Sequence, residues 1–203
     1  GEPMGLNIPQ LPELTFEETR HIYRLNGMEI PSVTTLMKPL SDDFYRTVNQ
    51  SVLDRAAKRG TAIHNAIENY TEFGVEDIDP QYAGYFSAFL QWWNRRKPVP
   101  LAMEQRVYHK ILRYAGTADL ICDIGGRLTL VDYKSSAQVN TKLCAVQLEG
   151  YDRAFESHGV KVDDRLILHL SKDGYQEVPF QRSSKCWSVM SSLMTIRNYI
   201  NES

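Results

Sequence analysis

Apolar and polar positions divide the chain into a helical front and an extended back. His21-Ile22-Tyr23-Arg24-Leu25 alternates as a strand, Asn26-Gly27 is a two-residue turn signal, and Met28-Glu29-Ile30 returns. Residues 16–33 therefore predict a hairpin, ended by Pro31, and residues 32–37 open a short helix. Ser41-Asp42-Asp43 has the residue types of a helix cap before Phe44. Helical composition runs from there to about Tyr70, with Gly60 as its weak point, and residues 74–80 are an acidic loop. Over residues 81–96, Tyr82, Phe86, Phe89 and Trp93 recur at spacings of three or four and make one apolar stripe. Arg95-Arg96-Lys97 and Pro98 close that helix.

From Leu101 the period changes to two. Residues 103–112, 117–124 and 127–134 predict strands, separated by turns at Tyr114-Ala115-Gly116 and Gly125-Gly126. A helix over 141–158 ends at Gly159, strands follow over 165–170 and 175–180, and a last helix covers 185–200. Helices followed by β-β-β-α-β-β-α predict an α/β (α+β) fold with a central mixed sheet flanked by helices.

Composition narrows the class. With 203 residues, 42% hydrophobic and 24% charged, the chain is neither disordered nor collagen-like. The length suits one domain: a loose arm over 1–12, a hairpin and helical part over 13–100, and a core over 101–203. Lysine and arginine number 23 against 25 acidic residues, so any contact with nucleic acid needs a local basic patch or a bound cation. The longest uncharged stretch, residues 80–94, contains Gln, Ser and Asn and is too short for a membrane span. The opening shows no signal-peptide pattern, so a cytoplasmic protein without membrane contact is expected. Cys122, Cys144 and Cys186 form no CxxC and read as small buried hydrophobes in a reducing compartment.

Candidate chemistry comes from strand register. If Gly125-Gly126 closes a two-residue turn, Ile124 faces Arg127 and Asp119 faces Asp132, with Lys134 on the Asp132 side of the sheet. Apolar neighbours on both faces imply a sheet covered on both sides, so two carboxylates are opposed in partly dry surroundings. A bridging divalent cation such as magnesium or manganese would relieve the conflict. Neutralisation by Lys134 alone, or a three-residue turn that breaks the register, would also do so.

These residues resemble the PD-(D/E)XK nuclease superfamily, and within it the RecB-like and phage-type exonuclease group. Gly116-Thr117-Ala118-Asp119 is similar to its GxxD motif, Asp132-Tyr133-Lys134 to its DxK motif, and Gln147 to Tyr151 to its QxxxY motif. Arg59 to His64 resembles the segment ending in a metal-binding histidine, and Glu104 an acidic residue of the first core strand. Residues 30–34 and the hairpin resemble the start of phage-type and mitochondrial genome-maintenance exonucleases.

The resemblance implies a restriction-endonuclease-like core and metal-assisted hydrolysis of DNA. His64, Asp119, Asp132 and the Tyr133 carbonyl would hold Mg²⁺ or Mn²⁺, and Lys134 would orient or help deprotonate water and stabilise negative charge. Glu104 would join the site or make a salt bridge with Arg106 or Arg127; Gln147 and Tyr151 would hold the site or touch the DNA backbone. His64 would be a ligand or pair with Glu68, and as a ligand it would compete with protons near pH ~6. Arg95, Arg96 and Lys97, and Arg106, Lys110 and Arg113, are candidate phosphate contacts; Trp92 and Tyr114 would stack on bases or pack in the core. Partners would be DNA and a recombination or single-strand-annealing protein. Relatives that carry an iron–sulfur cluster use four cysteines, so none is expected here.

Overall fold

Asn26 and Gly27 both adopt positive φ, 51° and 83°, and close the turn between β2 (Ile22–Leu25) and β3 (Met28–Ile30). In the computed structural model, which describes residues 7–202, β2 also pairs with β1 (Leu14–Glu17). The hairpin is therefore part of a three-stranded antiparallel sheet. Of the arm expected over 1–12, residues 1–6 lie outside the described residues. Ile8 and Leu11 pack against the core, so the described part of the arm is anchored rather than loose.

Ser32 caps α1 (Val33–Leu36) by accepting the Thr35 N–H at 3.1 Å. A second short helix, α2 (Lys38–Phe44), starts with Pro39 in its first turn. Ser41-Asp42-Asp43 lies inside α2, not at a cap. The long helix α3 (Gln50–Phe73) begins instead at Asn49, which accepts the Ser51 N–H at 2.9 Å, and ends at Gly74 with φ 69°. It passes through Gly60 unbroken. Burial of Ile63, Ala66 and Ile67 outweighs the ~1 kcal/mol that a helical glycine costs. After a single 3-10 turn, Pro80–Tyr82, comes α4 (Ala83–Arg96).

The main sheet has its strands in chain order: β4 (Val99–Tyr108), β5 (Ala115–Ile124), β6 (Arg127–Lys134), β7 (Asp164–Leu170) and β8 (Tyr175–Phe180). Neighbours are antiparallel except β6 and β7, which run parallel because α5 (Thr141–Ser157) crosses between them. The last helix is α6 (Ser184–Ile200). The strand expected over 103–112 lies over 99–108 instead. Pro100 is tolerated because β4 is an edge strand with a register shift between Pro100 and Ala102. Residues 109–114 form a turn, with the His109 N–H bonded to the Tyr114 carbonyl at 2.8 Å and Arg113 at φ 61°.

Both sheet faces are covered, as the alternation predicts. Ile121, Leu130 and Ile167 pack under Val33, Leu148, Phe155 and Met190 from α1, α5 and α6. Leu120, Val131 and Leu168 pack under Ile63, Ile67, Phe89 and Trp92 from α3 and α4. The fold is mixed α+β, with the expected five-stranded mixed sheet between two helical layers.

Candidate active site

The tight Gly125-Gly126 turn sets the geometry. Ile124 faces Arg127, and the ladder continues to Leu120 opposite Val131, so the next step sets Asp119 against Asp132. There the side chain takes over from the backbone: Asp119 Oδ2 accepts the Tyr133 N–H at 2.8 Å. Both carboxylates are buried, Asp119 at 7% exposure and Asp132 at 4%. Lys134 Nζ lies 2.9 Å from Asp132 Oδ2. That oxygen is buried, and the Lys134 ammonium is its close partner.

Helix α3 brings His64 onto this point. Its Nδ1 is 3.4 Å from Asp119 Oδ1 and its Nε2 is 3.2 Å from the Tyr133 carbonyl. Ile63, Ala66 and Ile67 anchor that helix in the core. Gly60 is not what allows the approach. A Cβ there would meet Ser135 Oγ at 3.9 Å, an ordinary contact. Of the two expectations for His64, the pair with Glu68 is replaced by the contact with Asp119.

Glu104 is settled by register. Met103 faces Leu120 and Gln105 faces Ala118, which leaves Glu104 opposite Asp119. Its φ of 47° is unusual for a non-glycine residue, and such strain collects at functional sites. Among the described residues Glu104 makes no salt bridge with Arg106 or Arg127, and Arg127 pairs with Asp164 at 2.6 Å. Donor atoms of His64, Glu104 and Asp119 all lie within 4.8 Å of one another.

The charges are mutually dependent. Burial and the Asp119 charge push Asp132 up to about 7 and Glu104 up to about 8. Asp119 is held low, at about 2, because the His64 contact outweighs burial. His64 is raised to about 9, burial opposing and the Asp119 carboxylate prevailing. Burial also opposes the charge on Lys134, but Asp132 holds its pKa above the usual lysine value. Two carboxyls, Glu104 and Asp119, and the His64 imidazole on one point, with Asp132 beside Asp119, make a donor set suited to a hard or borderline divalent cation.

The neighbouring residues hold this centre. Gln147 Nε2 donates to Tyr151 OH at 3.2 Å, and the Tyr151 ring lies against Gly116, where a Cβ would be 2.5 Å from its Cε1. Tyr151 is buried, and its side chain lines the cleft at Glu104. Sequence spacing gives no sign of two further ties. Tyr23 OH and Thr117 Oγ1 are 2.6 Å apart, joining the N-terminal sheet to β5, and His169 Nε2 is 2.6 Å from the Ser136 carbonyl, fixing the chain after Lys134.

Two clefts flank the centre. One of about 330 Å³ is lined by Glu104, Glu68, Arg106, Thr117 and Tyr23; one of about 290 Å³ is lined by Lys134, Ser136, Gln147 and Thr34. Of the expected phosphate contacts, Arg106 lines the first cleft, with its guanidinium 5.1 Å from the Phe16 ring. Lys110 and Arg113 sit on the 109–114 turn, outside both linings. Arg96 is held by Glu177 at 2.8 Å. Arg95 and Lys97 precede β4, whose Val99 pairs with Asp123 beside the Gly125-Gly126 turn, four residues along β5 from Asp119. Trp92 and Tyr114 are fully buried, with hydrogen bonds to Glu177 and the Gly150 carbonyl, so both pack rather than stack on bases.

No protein-family model matches the chain, and no curated protein matches it in sequence. Solved structures do resemble it. A candidate exonuclease from Eubacterium rectale is 10% identical, with 85% of this chain and 74% of that chain covered and a TM-score of 0.50. A phage-related exonuclease from Haemophilus somnus 129PT is 10% identical, covering 82% of this chain and 90% of that chain at a TM-score of 0.41. The protein SSO0001 is 12% identical over 70% and 73%, also at 0.41. At such identities the likeness to the Eubacterium rectale protein speaks for architecture, and it agrees with the motifs: the chain has a PD-(D/E)XK-like nuclease fold.

Proposed function

We propose that the protein is a divalent-metal-dependent nuclease that hydrolyses phosphodiester bonds in DNA. It would act as an exonuclease in a phage, prophage or recombination-repair setting. The observation that carries this reading is the buried Asp119–Asp132 opposition, with His64 and Glu104 converging on Asp119. A metal-free fold gains nothing from such a cluster.

His64, Glu104, Asp119, Asp132 and the Tyr133 carbonyl would hold Mg²⁺ or Mn²⁺, the nitrogen favouring Mn²⁺. When bound, the ion would supply positive charge to a phosphate oxygen and a more acidic water. Lys134, kept charged by Asp132, stands at the cleft mouth, where an ammonium stabilises negative charge gathering on the phosphoryl oxygens. Its raised pKa supports a role as charge stabiliser and water orienter more than as base. Gln147 and Tyr151 position β5 and α5 around that cleft. Arg106 lines the cleft beside Glu104, which supports a phosphate contact there.

A substrate panel tests the reading. End-labelled linear duplex, linear single-stranded DNA, closed circular DNA and RNA are incubated with Mg²⁺, Mn²⁺ or EDTA. Progressive loss from the ends of linear DNA, absent in EDTA, with circles left intact, is expected. Cut circles would make it an endonuclease, RNA preference would change the substrate class, and inertness towards every substrate would reject the reading.

A further inference from the structure

The first half of α3 carries Arg55, Lys58 and Arg59 at spacings of three and four, which put them on one helix face. Like charges at that spacing repel. Among the described residues none of the three is ion-paired with a carboxylate. Nearby acids are engaged elsewhere: Asp54 accepts from Gln50 at 2.8 Å, and Asp79 accepts twice from Gln81. A cavity of about 360 Å³ opens on this face, walled by those cations, Tyr82, Tyr85 and Lys172. No carboxylate lines it, unlike the cleft at Glu104.

The packing of other elements builds this cavity. Gly84 in the first turn of α4 lets the β7–β8 turn lie directly upon it, since a Cβ there would be 2.8 Å from the Lys172 carbonyl oxygen. That contact delivers Lys172 opposite α3. Arg59 stands 5.4 Å over the Tyr85 ring, with its Nε buried and without a hydrogen-bond partner. The cavity and the catalytic centre share helix α3: Gly60 borders Ser135, the residue after Lys134, and Arg59 precedes His64 by five residues, about 7.5 Å along the helix axis and about 140° around it.

The geometry points to a phosphate-backbone groove for single-stranded DNA, built from Arg55, Lys58, Arg59 and Lys172. Tyr82 and Tyr85 provide aromatic surface beside the strand. A cation-lined channel with interleaved aromatic rings is how single strands are held without sequence preference. It also supplies the local basic patch that a chain of net charge −2 must have to hold DNA. This inference rests on the proposed nuclease activity and adds where the strand runs.

The test uses the whole chain and a fluorescein-labelled dT20 in EDTA, so that binding is read without cleavage. The triple variant Arg55→Ala/Lys58→Ala/Lys172→Ala changes exposed side chains. A control, Lys38→Ala/Lys161→Ala/Lys185→Ala, removes the same charge from exposed positions elsewhere. The groove variant should bind at least tenfold more weakly, with its log K against log salt slope smaller by about 2, at ~0.7 per lost phosphate contact. It should still hydrolyse bis(p-nitrophenyl) phosphate with Mn²⁺ at the wild-type rate, because that ester is too short to reach the groove. Equal affinity and slope in groove and control variants would overturn the groove and leave the nuclease reading standing. A wild-type protein that neither binds dT20 nor cleaves any phosphodiester would overturn both.

Discussion

Two buried carboxylates opposed on neighbouring strands repel, and Asp119 and Asp132 are such a pair, relieved in part by Lys134 on Asp132. Asp132→Asn removes the charge that opposes Asp119. It also removes the partner of Lys134, so the reading is taken from the response to metal: the variant should lose the rise in Tm that Mn²⁺ gives the wild type. At 100 times Kd that rise corresponds to about 2.7 kcal/mol, or roughly 5–10 °C for a chain of this size. A variant that keeps the rise would show that Asp132 holds no metal. Protons supply a second check. Metal binding needs neutral His64 and ionised carboxyls, but His64 is raised to about 9, Glu104 to about 8 and Asp132 to about 7. All three must lose protons, so apparent Mn²⁺ affinity should climb from pH 6 to pH 9, with proton release measurable by calorimetry in buffers of different ionisation enthalpy. Flat affinity over that range would contradict the ligand set. The competition near pH ~6 expected of an ordinary histidine moves upward because Asp119 touches the ring. Asp119, Asp132 and Lys134 are legible in the sequence because hairpin register is arithmetic. His64 is legible through the motif alone, since no local spacing ties α3 to the ends of β5 and β6. The place of Glu104 depends on a β4 register that Pro100 disguises.

Elements are legible where one strong signal governs them. Asn26-Gly27, Gly125-Gly126, the stripe of α4 and the Gly159 stop all lie where the sequence puts them. Errors gather where tertiary contact overrides a local signal. Ser41-Asp42-Asp43 has cap chemistry, but Pro39 starts α2 earlier; Gly60 has breaker chemistry, but α3 is held by its buried face. Gly116 shows the reverse case, a glycine whose need appears only in the packed state. Gly116→Ala would drive a methyl against the buried Tyr151 ring, at 2.5 Å before relaxation. Overpacking of this kind costs about 1–3 kcal/mol, so the urea midpoint should fall. Cleavage should fall as well, because Asp119 lies three residues along the same strand. An unchanged midpoint would mean that α5 does not bear on β5 as described.

At the scale of the whole molecule, the N-terminal part and the sheet are interdependent. Helix α3 supplies both the cover of one sheet face and the imidazole beside Asp119, while Tyr23 ties the small sheet to Thr117. The α+β order and covered sheet follow from periodicity; the route by which residues 13–100 close the site does not, because it depends on contacts between distant segments. No helix among the described residues is long and apolar enough to cross a membrane. The central claim is that Lys134 and the cluster around Asp119 and Asp132 form one hydrolytic centre. The most direct measurement is the initial rate of linear DNA cleavage against Mn²⁺ concentration for wild type, Lys134→Ala and Asp119→Ala, each checked for folding and for metal binding. The account predicts metal-dependent cleavage by the wild type. Lys134→Ala should bind Mn²⁺ normally but cleave about 10²–10³-fold more slowly, and Asp119→Ala should neither bind it tightly nor cleave. Wild-type cleavage that persists in EDTA, or an undiminished rate in Lys134→Ala, would contradict it.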